Sequence, residues 1–131
     1  MTTTKQKLPY LLVASLLFFA SCLKDETTTL DGTWSCSESS QIYGSTSYEV
    51  NIETDASDAN KISLENFYNL GYQNKVTASL SGDNISISSQ TIDGYKISGS
   101  GTKNSGTSLS FEYYSYDGAD HDTITSTYTK K

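Results

Sequence analysis

The sequence predicts an all-β domain: eight short antiparallel strands closed into an up-and-down β-barrel, with a two-sheet β-sandwich of the same strands as the alternative. Three observations carry this. Apolar and polar residues alternate with period two through eight separate segments, the pattern of strands that bury one face. The connections are short and rich in Gly, Asn, Asp and Ser, which favours hairpins between sequential neighbours. The 131 residues also include ten tyrosines and a single proline, Pro9, and Tyr, Thr and Ile suit a half-buried pleated surface. Closing eight strands removes the exposed edges that an open sheet must protect.

Taken in order, Gly32 to Glu38 is the first strand, with Trp34 and Cys36 on one face. Tyr48 to Thr54 turns Val50 and Ile52 to one side and Glu49, Asn51 and Glu53 to the other. Asp55 to Asn60 is turn chemistry. Lys61 to Asn66 follows with Ile62 and Leu64 inward, and Lys75 to Ser81 with Val76, Ala78 and Leu80. Ser81-Gly82-Asp83-Asn84 makes a tight hairpin, from which Ile85 and Ile87 return. Tyr95 to Thr102 places Tyr95, Ile97, Gly99 and Gly101 on one face. Thr107 to Tyr116 turns Leu109, Phe111 and Tyr113 inward, and Asp122 to Lys130 turns Ile124, Ser126 and Tyr128 inward. Asn66 to Tyr72, with three aromatics, alternates poorly and reads as a bulged continuation or a short lid.

The first 21 residues read differently. Lys5 and Lys7 precede an apolar run from Leu8 to Phe19 and the small residues Ala20 and Ser21, the order of a secretory signal. The run is too short for a membrane-spanning helix, which needs roughly 20 apolar residues. Phe19-Ala20-Ser21-Cys22 resembles the lipobox of bacterial lipoproteins. That resemblance implies cleavage before Cys22 and acylation of its amine and thiol, so the partner would be a lipid bilayer. Lys24-Asp25-Glu26 is similar to the export signal of some Gram-negative lipoproteins. It implies the outer face of the outer membrane, with the periplasmic face as the alternative. The expected organisation is a signal peptide (1–21), a lipidated tether (22–30) and a barrel domain (31–131).

Cleavage would remove 21 of 131 residues and leave 110, enough for one modest core. The mature chain would hold seven lysines against fifteen acids, a net charge of −8, with no arginine. Such a surface repels phosphate backbones, so nucleic acid is excluded as a partner. With Cys22 acylated, Cys36 stands alone and no disulfide framework exists.

Gly32-Thr33-Trp34 resembles the Gly-x-Trp of lipocalins and the Gly-Thr-Trp of avidin-like barrels. The span from Asp31 to Lys131 is similar to small lipocalin-like lipoproteins of gut-type Gram-negative bacteria. Asn66 to Gly71, Ile97 to Gly101 and Thr127 to Lys130 carry that likeness. It implies a barrel around one small ligand, with Gly32 and Trp34 as structural residues. The arginine that packs across this tryptophan in the larger superfamily is missing, and Lys130 or Lys131 is left to substitute.

In an up-and-down meander the loops alternate between two ends. Ser39 to Ser47, Phe67 to Asn74, Ser89 to Gly94 and Asp117 to His121 fall at the end away from the tether, and tighter turns at the other. The longer loops mark a mouth, with Tyr43, Phe67, Tyr68, Tyr72, Tyr95, Tyr116 and His121 as candidate ligand-binding residues. A barrel of eight strands is wide enough to be filled by its own side chains or to keep one small ligand, and the sequence leaves both open. Gly99 and Gly101 read as space for Trp34.

Catalytic signals are weak. His121 lacks an accompanying nucleophile elbow or zinc spacing, and the glycine-rich Gly101 to Gly106 opens no helix. Asp117 to Asp122 reads as a solvated hairpin rather than a calcium loop. Asp122-Thr123-Ile124 resembles a bacterial O-glycosylation site at Thr123. The expectation is a non-catalytic binding module without cofactor or metal. It would capture a small apolar or sugar-like ligand. The alternative is a protein-interaction module, such as an envelope inhibitor or accessory subunit, that uses the loop rim.

Overall fold

The computed structural model describes residues 29–131; the signal peptide, Cys22 and the Lys24-Asp25-Glu26 motif lie outside them. Eight strands follow in chain order: β1 (Gly32–Ser40), β2 (Gly44–Asp55), β3 (Asp58–Glu65), β4 (Lys75–Ser81), β5 (Asn84–Ile92), β6 (Tyr95–Ser105), β7 (Ser108–Tyr116) and β8 (His121–Lys130). Each pairs antiparallel with the next, and β8 returns to β1, so the sheet closes as an up-and-down barrel rather than a sandwich.

Several strands outrun their apolar patterns. Backbone pairing of β1 with β2 continues to Ser40 opposite Gly44, through a Ser/Thr-rich stretch with no apolar residue to reveal the period. The connection is therefore three residues, Gln41 to Tyr43, not the long loop expected from Ser39 to Ser47. Likewise β5 reaches Ile92, and Asp93 and Gly94 turn the chain with φ of 51° and 84°. Both dihedrals are left-handed, the geometry a two-residue hairpin needs to match strand twist. At this end, 66–74 is the long connection.

The interior fills from the opposite end. Trp34 is fully buried, and its Nε1 donates to the Leu30 carbonyl at 2.8 Å. Leu30, expected in the polar tether, is instead a buried core residue beneath it. Lys130 Nζ stands 5.7 Å from the Trp34 ring centroid, and so occupies the place expected of the missing arginine. Phe111 packs against Tyr128 with centroids 4.9 Å apart, and Phe67 against Tyr113 at 4.4 Å.

Gly99 and Gly101 do not serve Trp34. They pair across the β6–β7 ladder with Tyr113 and Phe111. A Cβ on Gly99 would stand 2.5 Å from the Glu112 carbonyl oxygen; one on Gly101 would stand 2.5 Å from Phe111 Cδ1. The absent side chains let the β7 aromatics lie across β6.

The β4–β5 seam is the least stitched. Ser79, Leu80 and Ser81 pair with Ser86, Ile85 and Asn84, and β5 then shifts register at Ile87 to Gln90 against β6. Beyond the paired stretch the Gln90 side-chain amide stands in for backbone: Oε1 accepts from Thr77 N, and Nε2 donates to Thr77 O, each at 2.9 Å.

Candidate functional site at the barrel mouth

The inward row of β1 changes character as it climbs. Trp34 and Cys36 give way to Glu38 and Ser40, all four buried. Glu38 is 4% exposed and accepts hydrogen bonds on Oε2 from Tyr48 Oη at 2.6 Å and from Tyr113 Oη. Burial pushes its carboxyl above the usual range. The two phenols oppose that rise without cancelling it, and the nearby charge of Asp122 adds to it. Burial, then the Glu38 charge, lifts the Cys36 thiol to about 12, which leaves it an inert core filler at neutral pH.

A second carboxylate, Asp122, points inward from β8 and is 3% exposed. It accepts from Ser40 Oγ at 2.5 Å, Tyr68 Oη at 2.7 Å and the Ile42 amide at 3.1 Å. Burial works to raise its pKa, but these donors outweigh burial and hold it below the usual carboxylate range. The two acids are thus driven in opposite directions.

The segment between β3 and β4 is a lid in structure, settling the choice that the sequence left. A 3-10 turn at Phe67–Asn69 drives Phe67 into the core and holds Tyr68 over Asp122. Asn66, Tyr68 and Asn69 have φ of 67°, 57° and 58°. Left-handed backbone at an aromatic residue is costly and persists only when its surroundings fix it. Here the Asn66 side chain does so. Its Nδ2 donates to the Glu49 carbonyl at 2.8 Å, and its Oδ1 accepts from the Gly71 amide at 2.7 Å. The Tyr68 ring stands edge-on to Tyr95 at 5.5 Å and to Tyr113 at 5.9 Å.

Beside the lid lies an open cavity of about 400 Å³. Tyr43, Tyr68 and Tyr95 provide aromatic wall, Leu70 apolar surface, and Glu38, Ser40 and Thr46 the polar groups. Thr46 pairs with Glu38 in the β1–β2 register and so shares its inward face.

Of the seven expected ligand residues, Tyr43, Tyr68 and Tyr95 come together here. Phe67 lies beneath them in the core. Tyr72 lies outside: its hydroxyl donates to the Glu49 carbonyl at 3.3 Å, beside the Lys131–Glu49 ion pair. Tyr116 and His121 are outside as well, stacked on each other at 4.3 Å. Strand parity puts them there, since their neighbours Ser115 and Asp122 are the buried members. Thr123 is half-buried in β8, opposite Tyr114. The acidic loop is a turn, with Asp117 Oδ1 accepting from the amides of Ala119 and Asp120 at 2.9 and 2.7 Å. Among the described residues no cluster of three His, Cys, Asp or Glu is placed to hold a metal ion.

Sequence reading missed Glu38, Ser40, Thr46 and Asp122. The signal was there for two of them. Glu38 shares the parity of Trp34 and Cys36, and Asp122 that of Ile124 and Tyr128.

No family model and no curated protein sequence matches the chain. Among the solved structures that share its fold are two at 15% identity. EF1p2_mFAP2b, determined bound to DFHBI, is 15% identical with a TM-score of 0.58, over 79% of this chain and 95% of that one. A redesigned beta barrel is 15% identical with a TM-score of 0.56, over 79% and 93%. At this identity the likeness is one of fold.

Proposed function

We propose that the domain is a non-catalytic binding module of the cell envelope that captures one small ligand with an apolar or sugar-like body at the barrel mouth. The cavity over Glu38 carries this reading. Its size falls within the range of small-molecule sites, and it combines aromatic wall with a few convergent polar groups. EF1p2_mFAP2b, with DFHBI bound, offers a precedent for a small molecule held by this fold. The lipid anchor rests on the Cys22 motif. In that arrangement the chain enters at the Leu30–Trp34 end, and the mouth faces away from the membrane. A protein-interaction role is the second reading, favoured by Ile42 and Tyr43, which stand 43% and 66% exposed on the β1–β2 turn.

A fragment screen read by amide chemical shifts tests the first reading. Shifts should gather at Tyr43, Tyr68 and Tyr95 and disappear in Thr46→Trp, which fills the mouth. A screen in which no fragment moves those amides rejects it in favour of the rim.

A further inference from the structure

The walls of the mouth differ from its floor in a way that selects a charge. We infer that the site takes a small organic cation, an amine with an aromatic or apolar body, seated against Tyr43, Tyr68 and Tyr95 with its ammonium directed at Glu38. This rests on the binding-module reading and narrows it to one ligand class.

Three observations converge. Glu38 is a buried carboxylate that lines the cavity, and its partners are phenols, not cations. The ion pair formed among the described residues, Lys131 with Glu49, lies on the outer wall. A buried carboxylate without a counter-charge is a costly arrangement, which a bound cation relieves. Both phenols donate to Oε2, which leaves Oε1 for a ligand donor.

The walls agree. Three tyrosine rings bound the opening, and the faces of such rings attract ammonium groups. The field agrees as well. The mouth-end connections 41–43, 66–74, 93–94 and 117–120 contain Asp93, Asp117 and Asp120 and no lysine. Asp122 sits buried just behind Ser40 and Tyr68. An anion would approach five carboxylates against two lysines, Lys75 and Lys96, exposed on the outer face at the mouth-end starts of β4 and β6, and a neutral sugar would leave the charge of Glu38 unanswered.

Phenethylamine, phenethyl alcohol and phenylacetate share one ring and differ in charge. Their affinities for the wild-type full chain, read from the amide shifts of Tyr43, Tyr68 and Tyr95, test the inference. The amine should bind about tenfold or more tightly than the alcohol, as a charge-assisted contact provides, and phenylacetate should bind least. Glu38→Gln should abolish the preference for amine over alcohol. Tyr95→Leu, which leaves the buried network intact, should weaken the amine about threefold and the alcohol less. Equal binding of alcohol and amine, or tight binding of phenylacetate, overturns the cation assignment while mouth binding stands. Silence from all three also overturns it; the binding-module reading itself falls only if the wider fragment screen is silent too. The wild-type ranking decides the matter even if Glu38→Gln fails to fold.

Discussion

The Tyr68 hydroxyl donates to the Asp122 carboxylate at 2.7 Å across 54 positions of sequence. This one bond ties a loop with three left-handed non-glycine residues to the opposite wall of the barrel. The Asp122 carboxylate thus holds the lid together with the Asn66 side chain.

Tyr68→Phe removes that tie and keeps the ring. Loss of a hydrogen bond to a charged group should cost about 1.5–3 kcal/mol. Amide exchange in 69–73 should accelerate more than in β6 or β7. Uniform protection across loop and strands would show that Asn66 alone holds the lid.

The two buried acids should shape stability against pH with opposite signs. The folded pKa of Asp122 lies below its unfolded value, so its stabilisation is present above the unfolded pKa and is lost as pH falls through the folded one. The folded pKa of Glu38 lies above its unfolded value, so its contribution is present at low pH and is lost as pH rises through the folded one. Urea midpoints over roughly pH 3 to 7 separate them. Asp122→Asn should flatten the acid limb. Glu38→Gln should raise stability at neutral pH by about 1 kcal/mol, since the amide oxygen still accepts from a phenol while the buried charge is gone. A less stable Glu38→Gln at pH 7 would contradict this.

Gly99→Ala should destabilise by about 3 kcal/mol, because its Cβ meets the Glu112 carbonyl and the Tyr113 backbone, which cannot swing aside. Gly118→Ala is the control. Its φ of 98° is strained for alanine, but no atom lies within 4 Å of the new Cβ. Its cost should stay near 1 kcal/mol. Thermal midpoints of the two variants provide the comparison.

Trp34→Ala should cost ~3–5 kcal/mol as a fully buried ring. Lys130→Ala should cost about 0.5–1 kcal/mol through loss of its ring contact. In a double-mutant cycle the lysine change should become nearly neutral once Trp34 is gone. Additive losses would mean that Lys130 acts through the Thr29 carbonyl it also donates to, at 3.2 Å.

Most of the barrel was legible because alternation survives wherever one face is apolar. Val50 and Ile52, or Ile62 and Leu64, announce a strand without help. The strand ends at Ser39-Ser40 and Ser45 to Ser47 were not, since hydroxyl side chains carry no inside-or-outside signal while the backbone keeps pairing. The site was hidden by a related effect. Glu38 and Asp122 are charged and so read as solvated, yet they occupy inward positions of rows that are otherwise core. Tyr72, Tyr116 and His121 failed as mouth residues because closeness to a loop says nothing about which side of the wall a ring faces.

A barrel is a hoop, and a hoop under load parts at its weakest joint. Between β4 and β5 that joint is held by three residue pairs and by one side chain, Gln90, riveted to Thr77. Were the rivet to slip, two bare strand margins would face outward, and a crowded neighbour could dock against them as an added stave. Gln90 therefore covers the Thr77 backbone groups that the short β4–β5 ladder leaves unpaired.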